Sequence, residues 1–255
     1  MGKWIALRSI VFDTQVLRPG MTTLHFFGER VEHPGVDSVT SPVEAVILKW
    51  LLETPATRGL ILDELGLDSH SKYSIGVRSP FTSRDTKPGD IDGILCDLSR
   101  PHESVALECK RVKVTTLDQG DQRINKLSEF GRAYHQANGL ARLGFNRAFL
   151  TAIAVVDGRD DPRNNFVFRG TSTQTFRRLY DVAWEIPLAP EVGLLYVEIA
   201  QPVAAAVSTA GMLSVGVLRA PPRIEQGHHF SELVRNYLIE NGQPKNAPNS
   251  TAERE

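Results

Sequence analysis

Apolar residues fall along this chain in short blocks whose spacing switches between a period of two and a period of three to four, the signatures of strands and helices. Trp4 to Phe12 and Thr22 to Phe27 read as two strands with a turn at Pro19-Gly20. Ser41, Pro42 and Glu44 then form a capping box with proline at the first helical position. Val43, Ile47, Trp50 and Leu51 follow at helical spacing, and the helix is expected to end near Thr54-Pro55. Tyr73 to Val77 reads as a strand, and the polar loop Ser79 to Lys87 delivers the chain to two apolar runs, Ile91 to Cys96 and Val105 to Leu107. The segment between these runs, Leu98 to Ser104, is rich in turn-forming residues, so a hairpin of two buried strands is predicted.

Downstream, a long helix is predicted from about Gln122 to Leu143, with Ile124, Leu127, Phe130, Tyr134 and Ala137 inward and Gly144 as its terminator. A strand from Ala148 to Val156 follows, ended by Asp157-Gly158. Leu194 to Ile199 and Met212 to Leu218 read as an antiparallel pair separated by the small-residue stretch Val203 to Ala210. Phe230, Leu233, Val234, Tyr237 and Leu238 mark a last amphipathic helix. From Gln243 onward the sequence is polar and aperiodic, which predicts a disordered tail over 243–255. Residues 1–242 are expected to form a single domain, with a core at about 40–157 and a C-terminal extension at about 158–242.

Composition narrows this picture modestly. With 255 residues, 41% hydrophobic and 23% charged, the chain has enough material for a substantial core. A net charge of −1 means that any nucleic-acid contact must come from a local basic patch. The cysteines Cys96 and Cys109 both fall on the predicted hairpin strands, where small apolar thiols are ordinary core residues, and they imply neither a disulfide framework nor a zinc cluster. The N-terminal apolar run is broken at Arg8 and Asp13, too early for a signal peptide or a membrane span, so a cytoplasmic protein with no membrane partner is expected. The adjacent His228 and His229 diverge in direction and read as a surface pair at a helix start.

The predicted hairpin also carries chemistry. Its first strand opens with Gly89-Asp90-Ile91-Asp92 and its second contains Glu108-Cys109-Lys110. Residues two apart on a strand share a face, so Glu108 and Lys110 point together, and the hairpin brings Asp92 beside Glu108. Two carboxylates and the Cys109 backbone carbonyl form a hard-oxygen site suited to Mg²⁺ or Mn²⁺, with positions left for water and a phosphate oxygen. Lys110 adds a point charge able to orient or deprotonate the attacking water or to stabilise a phosphorane. Arg111 and Lys113 follow immediately and are the preferred nucleic-acid phosphate contacts. Arg123, Lys126, Arg132 and Arg142 read as a solvated helix face more readily than as a DNA groove, and further on Arg159, Arg163, Arg169, Arg177 and Arg178 could form a second basic rim, with solvated surface charge the simpler reading.

The acidic strand followed by Glu-x-Lys on the next strand resembles the PD-(D/E)XK nuclease superfamily. The form Pro88-Gly-Asp-Ile-Asp92 with Glu108-Cys-Lys110 is similar to that of restriction endonucleases and Holliday-junction resolvases. The resemblance covers roughly residues 40–157. It implies an α/β (α+β) fold with a restriction endonuclease-like core, a central mixed sheet flanked by helices, here with additional N- and C-terminal strands. It also implies a Mg²⁺-dependent nuclease, most simply a deoxyribonuclease, with Asp92, Glu108 and Lys110 catalytic and Asp92, Glu108 and the Cys109 carbonyl on the metal. Family patterns of the G-x-I-D type favour Asp92 over Asp90 as ligand, and Asp90 is kept as an auxiliary candidate.

Two further auxiliary candidates come from the resemblance. Glu44 would stand where such nucleases carry an acid on the helix before the motif strands, although the capping box already explains its position. Gln136 would stand where some carry a glutamine, and a local helix-edge amide is an equal explanation. The other class of reading is a non-catalytic nucleic-acid or protein-binding module that retains the nuclease-like fold. The expected partner in either case is nucleic acid, most simply DNA, and cutting both strands of a duplex would suit a homodimer.

Overall fold

In the computed structural model the described residues are 5–7, 14–18, 21–28, 30–32, 44–82, 89–116, 121–157, 170–201 and 209–244. Short strands come first: β1 (Ile5–Leu7), β2 (Thr14–Arg18), β3 (Met21–Gly28) and β4 (Arg30–Glu32). Two helices follow, α1 (Glu44–Glu53) and α2 (Pro55–Glu64), and then β5 (Lys72–Val77), β6 (Ile91–Cys96), β7 (Val105–Thr116) and β8 (Gln122–Asn125). The chain continues through α3 (Leu127–Phe130), α4 (Tyr134–Ala141), β9 (Arg147–Asp157), α5 (Thr173–Glu185), β10 (Val192–Gln201), β11 (Thr209–Arg219) and α6 (His228–Asn241).

One mixed sheet organises the protein. Its order is β2-β3-β11-β10-β9-β7-β6-β5, with β8 paired to the far part of β7, while β1 and β4 make a separate two-stranded ribbon. The central neighbours β7–β9 and β9–β10 are parallel, and helices fill the two crossovers, as parallel pairing requires. All other pairings in the sheet are antiparallel. The expected α/β architecture, a central mixed sheet flanked by helices and extended by N- and C-terminal strands, is what the chain forms.

The period of two in β7 and β9 divides the core between the two faces. Leu107, Cys109, Phe149 and Ile153 pack with Ile47 and Leu51 of α1 and Ile61 of α2. The alternate residues Val112, Val114, Leu150 and Ala152 pack with Phe130, Ala137, Leu179 and Ala183 of α3, α4 and α5. Ala106 and Ala148 continue that second face, where Leu140 of α4 and Val234 and Leu238 of α6 cover them.

Several elements differ from the sequence expectations. Of the first expected strand, Trp4 to Phe12, Ile5–Leu7 is a strand and the rest lies outside the described residues, while a further strand not expected runs over Thr14–Arg18. A second helix, α2, begins directly after α1, because Pro55 both stops α1 and occupies the first turn of the next helix, where its missing N–H costs nothing. The long helix expected over 122–143 is three pieces. Val112 and Val114 alternate with Arg111, Lys113 and Thr115, a strand pattern, so β7 runs on to Thr116 and pairs with β8. Lys126 then adopts a left-handed conformation (φ 67°) that turns the chain from β8 into α3, and a turn around Gly131 separates α3 from α4. Phe130 and Ala137 are buried as expected, with Ile124, Leu127 and Tyr134 partly buried against the same cluster.

Two residues of the expected tail, Gln243 and Pro244, lie within the described residues and are tied to the sheet. Gln243 exchanges two backbone hydrogen bonds with Tyr73 of the edge strand β5, at 2.8 and 2.7 Å. Lys72 donates to the Pro244 carbonyl beside it. Residues 245–255 lie outside the described residues.

Candidate metal centre

The β6–β7 hairpin sets the site. Its register runs through Gly93↔Leu107, Ile94↔Ala106 and Leu95↔Val105, so the next position brings Asp92 opposite Glu108. Asp92 Oδ2 accepts the backbone N–H of Cys109 at 2.7 Å. Within a strand the N–H and C=O of one residue face the same neighbour, so the Cys109 carbonyl faces the edge on which Asp92 sits. Further along β7, Glu44 Oε1 from α1 accepts the N–H of Arg111 at 3.0 Å.

Glu108 is 1% exposed and its Oε1 accepts from Lys110 Nζ at 2.5 Å, while its Oε2 is buried with no hydrogen-bond partner. Burial, reinforced by the Asp92 charge, pushes the Glu108 carboxyl up to about 7 against the pull of Lys110. Burial likewise raises Asp92, offset in part by the Cys109 amide and Lys110, with Glu44 and Asp90 adding to the rise. For Lys110 burial works the other way, but Glu108 first, then Asp92 and Glu44, outweigh it and hold the amine above the usual lysine value. Lys110 is therefore an ammonium at neutral pH, suited to orienting and donating rather than to removing a proton. The Cys109 thiol points to the opposite face, fully buried, and burial beside Asp92 and Glu108 holds it well above its ordinary value, which rules it out as a nucleophile.

The remaining expected site residues separate cleanly. Asp90 lies just before β6 and holds Arg78 by two hydrogen bonds, one at 2.8 Å from Nη2, so Asp92 and not Asp90 sits beside Glu108. Glu44 is brought to the site, although through a backbone amide of β7; Ser41, the other half of its expected capping box, lies outside the described residues. Gln136 is half-buried on α4, over the sheet face that Glu108 and Lys110 share with Val112, but no hydrogen bond or ion pair joins its side chain to them among the described residues. Arg111 and Lys113 alternate to the other face, with Cys109, so the structure does not place them beside the Glu108–Lys110 pair. Arg159, Arg163 and Arg169 lie outside the described residues, whereas Arg177 and Arg178 are exposed on α5. His228 and His229 are exposed at the start of α6, as expected.

Two charged residues escaped the sequence reading. Arg78 directly follows β5, and the pairing Val77↔Ile91 sets it level with Asp90, a signal visible only once β5 and β6 are paired. Glu198, 1% exposed on β10, is a second buried carboxylate, and its oxygens accept from the Thr171 N–H at 3.1 Å, the Thr171 hydroxyl at 2.5 Å and the Tyr196 hydroxyl at 2.8 Å. That network anchors the chain ahead of α5, and its strand position Glu198 gave no motif to recognise.

Among the described residues, no three His, Cys, Asp or Glu side chains come together as a complete metal-ligand set. The centre instead offers two carboxylate side chains and one backbone carbonyl, with an unpartnered buried oxygen on Glu108. A small hard cation that keeps several waters fits such a partial set. No helix among the described residues is long and apolar enough to cross a membrane.

No family model matches the chain, and no curated protein matches it. Among solved structures, it is similar to that of Pyrococcus furiosus SfsA in complex with Ca²⁺, with a TM-score of 0.30 and 11% identity, covering 81% of this chain and 79% of that one. At that level of likeness the site has to be understood from its own residues.

Proposed function

We propose that this chain is a metal-dependent nuclease of the PD-(D/E)XK type, hydrolysing phosphodiester bonds in nucleic acid, with DNA as the preferred substrate. The observation that carries the proposal is the hairpin register. It sets Asp92 against Glu108-Cys109-Lys110, with one Glu108 oxygen buried and unpartnered and a protonated lysine alongside. Asp92, Glu108 and the Cys109 carbonyl would hold Mg²⁺ or Mn²⁺, which supplies charge neutralisation at the phosphate and makes a bound water more acidic.

The side chains themselves do three things. Asp92 ties β6 to β7 through the Cys109 amide, which fixes the distance between the two acids. Glu108, forced toward neutrality by burial, favours any cation that lets it ionise. Lys110 presents an ammonium on the same face, where it can hold the attacking water or a phosphate oxygen by hydrogen bond. Arg111 and Lys113, on the opposite face, are left to long-range steering of a phosphate backbone.

The test is a panel of plasmid, linear, branched and single-stranded DNA and of RNA, with Mg²⁺, with Mn²⁺ and with chelator. Metal-dependent products are expected from wild type. Asp92→Asn, Glu108→Gln and Lys110→Ala should each abolish cutting while the protein stays folded, and retained cleavage in any of the three purified variants would sink the proposal. The competing reading, a binding module on the same fold, is favoured by the way Asp92 and Lys110 already have partners within the protein. Binding to nucleic acid with no product in any metal lane would select it.

A further inference from the structure

A phosphodiesterase holds its substrate by cations placed beside the reacting groups, and of the basic residues that the sequence singles out only Lys110 stands there. Lys110 is engaged by Glu108, and Arg111 and Lys113 alternate to the other face of β7. What stands at the mouth of the site is Arg78. It leaves β5 just past the Val77↔Ile91 pair, level with Asp90, and its Nε and Nη2 donate to the two Asp90 oxygens. Both side chains are about half exposed, at 52% and 43%. Asp90 stands two residues before Asp92, just ahead of the same strand.

The geometry of this pair is informative. A guanidinium that meets a carboxylate with two parallel N–H donors presents the same fork that two phosphate oxygens accept. An exposed ion pair of this kind adds little net stability, so exchanging one anion for another at Arg78 costs little. We propose that Arg78 is a phosphate-binding residue of this site, that a nucleic-acid backbone phosphate replaces the Asp90 carboxylate on its guanidinium, and that Asp90 is the resident competitor that limits affinity. This assignment rests on the nuclease reading for its substrate class. It differs from a purely structural role, in which the pair ties the end of β5 to the start of β6, by the sign of the Asp90 effect.

The experiment measures binding of the full chain to a short labelled DNA duplex by fluorescence anisotropy, in chelator so that nothing is cut, across a salt series. Arg78→Ala should weaken binding roughly tenfold, the scale of one charge-assisted fork, and lower the salt slope by about one phosphate contact. Arg78→Lys keeps the charge but not the fork and should recover only part of the loss. Asp90→Asn should tighten binding several-fold. A structural tie predicts that Arg78→Ala and Asp90→Asn weaken binding alike and lower the melting temperature together, and that outcome overturns the proposal, as does wild type that fails to bind. If binding behaves as expected but no substrate is cut with metal, the nuclease reading fails and Arg78 stands. If wild type cuts and Arg78→Ala leaves affinity and salt slope unchanged, the Arg78 assignment fails alone.

Discussion

Replacing Glu108 by glutamine should make the metal-free protein more stable at neutral pH while removing its response to divalent cations. The native protein keeps the Glu108 proton up to about 7, whereas the unfolded chain releases it near the ordinary 4.5. Between those values the native state binds more protons than the unfolded state, so wild type loses stability as pH rises through that window and is flat again above it. At about 1.4 kcal/mol per pH unit, the rise from 4.5 to about 7 corresponds to roughly 3 kcal/mol. Glutamine has nearly the same shape, can still accept from Lys110 and carries no proton to lose. Lys110 is raised, so its contribution is lost only above the ordinary lysine range and does not enter this window. Asp92 is raised by the same burial and is common to both proteins.

Urea unfolding of wild type and Glu108→Gln in chelator at pH 5, 6, 7 and 8 reads the effect as the difference between their unfolding free energies. That difference should grow in favour of the variant by about 2–3 kcal/mol between pH 5 and pH 8, levelling above about 7. Saturating Mg²⁺ should raise the melting temperature of wild type, more at pH 8 than at pH 6 because the ligand must ionise, and leave the variant unmoved. A difference flat with pH would mean that burial does not hold Glu108 protonated, and equal Mg²⁺ shifts in both proteins would mean that the ion binds elsewhere.

Glu44→Ala removes the acceptor of the Arg111 amide and should cost about 1–3 kcal/mol in urea unfolding; Glu44→Gln keeps an acceptor and should recover most of it, and cleavage assays on both then show whether the charge matters as well. Gly193→Ala places a methyl 2.5 Å from Pro221 and 2.6 Å from Phe149, an overpacking expected to lower stability by about 1–3 kcal/mol by the same measurement. Leu51→Ala hollows the α1 side of the core, where Leu51 is 0% exposed, and should cost about 2–5 kcal/mol without changing the metal dependence of any cleavage.

What the sequence made legible was local and periodic. The apolar runs Ile91–Cys96 and Val105–Leu107, with a turn-rich segment between, were enough to predict the hairpin and therefore the meeting of Asp92 with Glu108. Pro55 marked the end of α1 correctly, but the start of α2 at the same residue was hidden, because proline ends one helix and starts another with the same chemistry, and only the packing of Ile61 into the core reveals the second. The expected long helix failed for a related reason: Ile124, Leu127, Phe130, Tyr134 and Ala137 do serve one apolar cluster, but a strand, a left-handed Lys126 and two short helices deliver them. Gln243 looked like tail because an edge strand recruits a passing backbone through N–H and C=O groups, which leave no mark in side-chain pattern.

The basic residues show where such reading stops. Chain proximity made Arg111 and Lys113 look like neighbours of Lys110, yet the same period of two that pairs Glu108 with Lys110 sends Arg111 to the other face. Applied consistently along β7, that rule would have excluded both from the Glu108–Lys110 face at the outset. Arg78 is the converse case, because it belongs to the site through register between strands and not through spacing within one. Its place follows from Val77 pairing with Ile91, and sequence spacing across the intervening loop cannot fix that pairing. Residues on a motif strand are therefore found by counting, whereas residues that face the motif from a neighbouring strand are found only after the register is known; reversing the charge by Arg78→Glu should accordingly weaken binding to the labelled duplex more than Lys113→Glu does, and equal losses would refute the distinction.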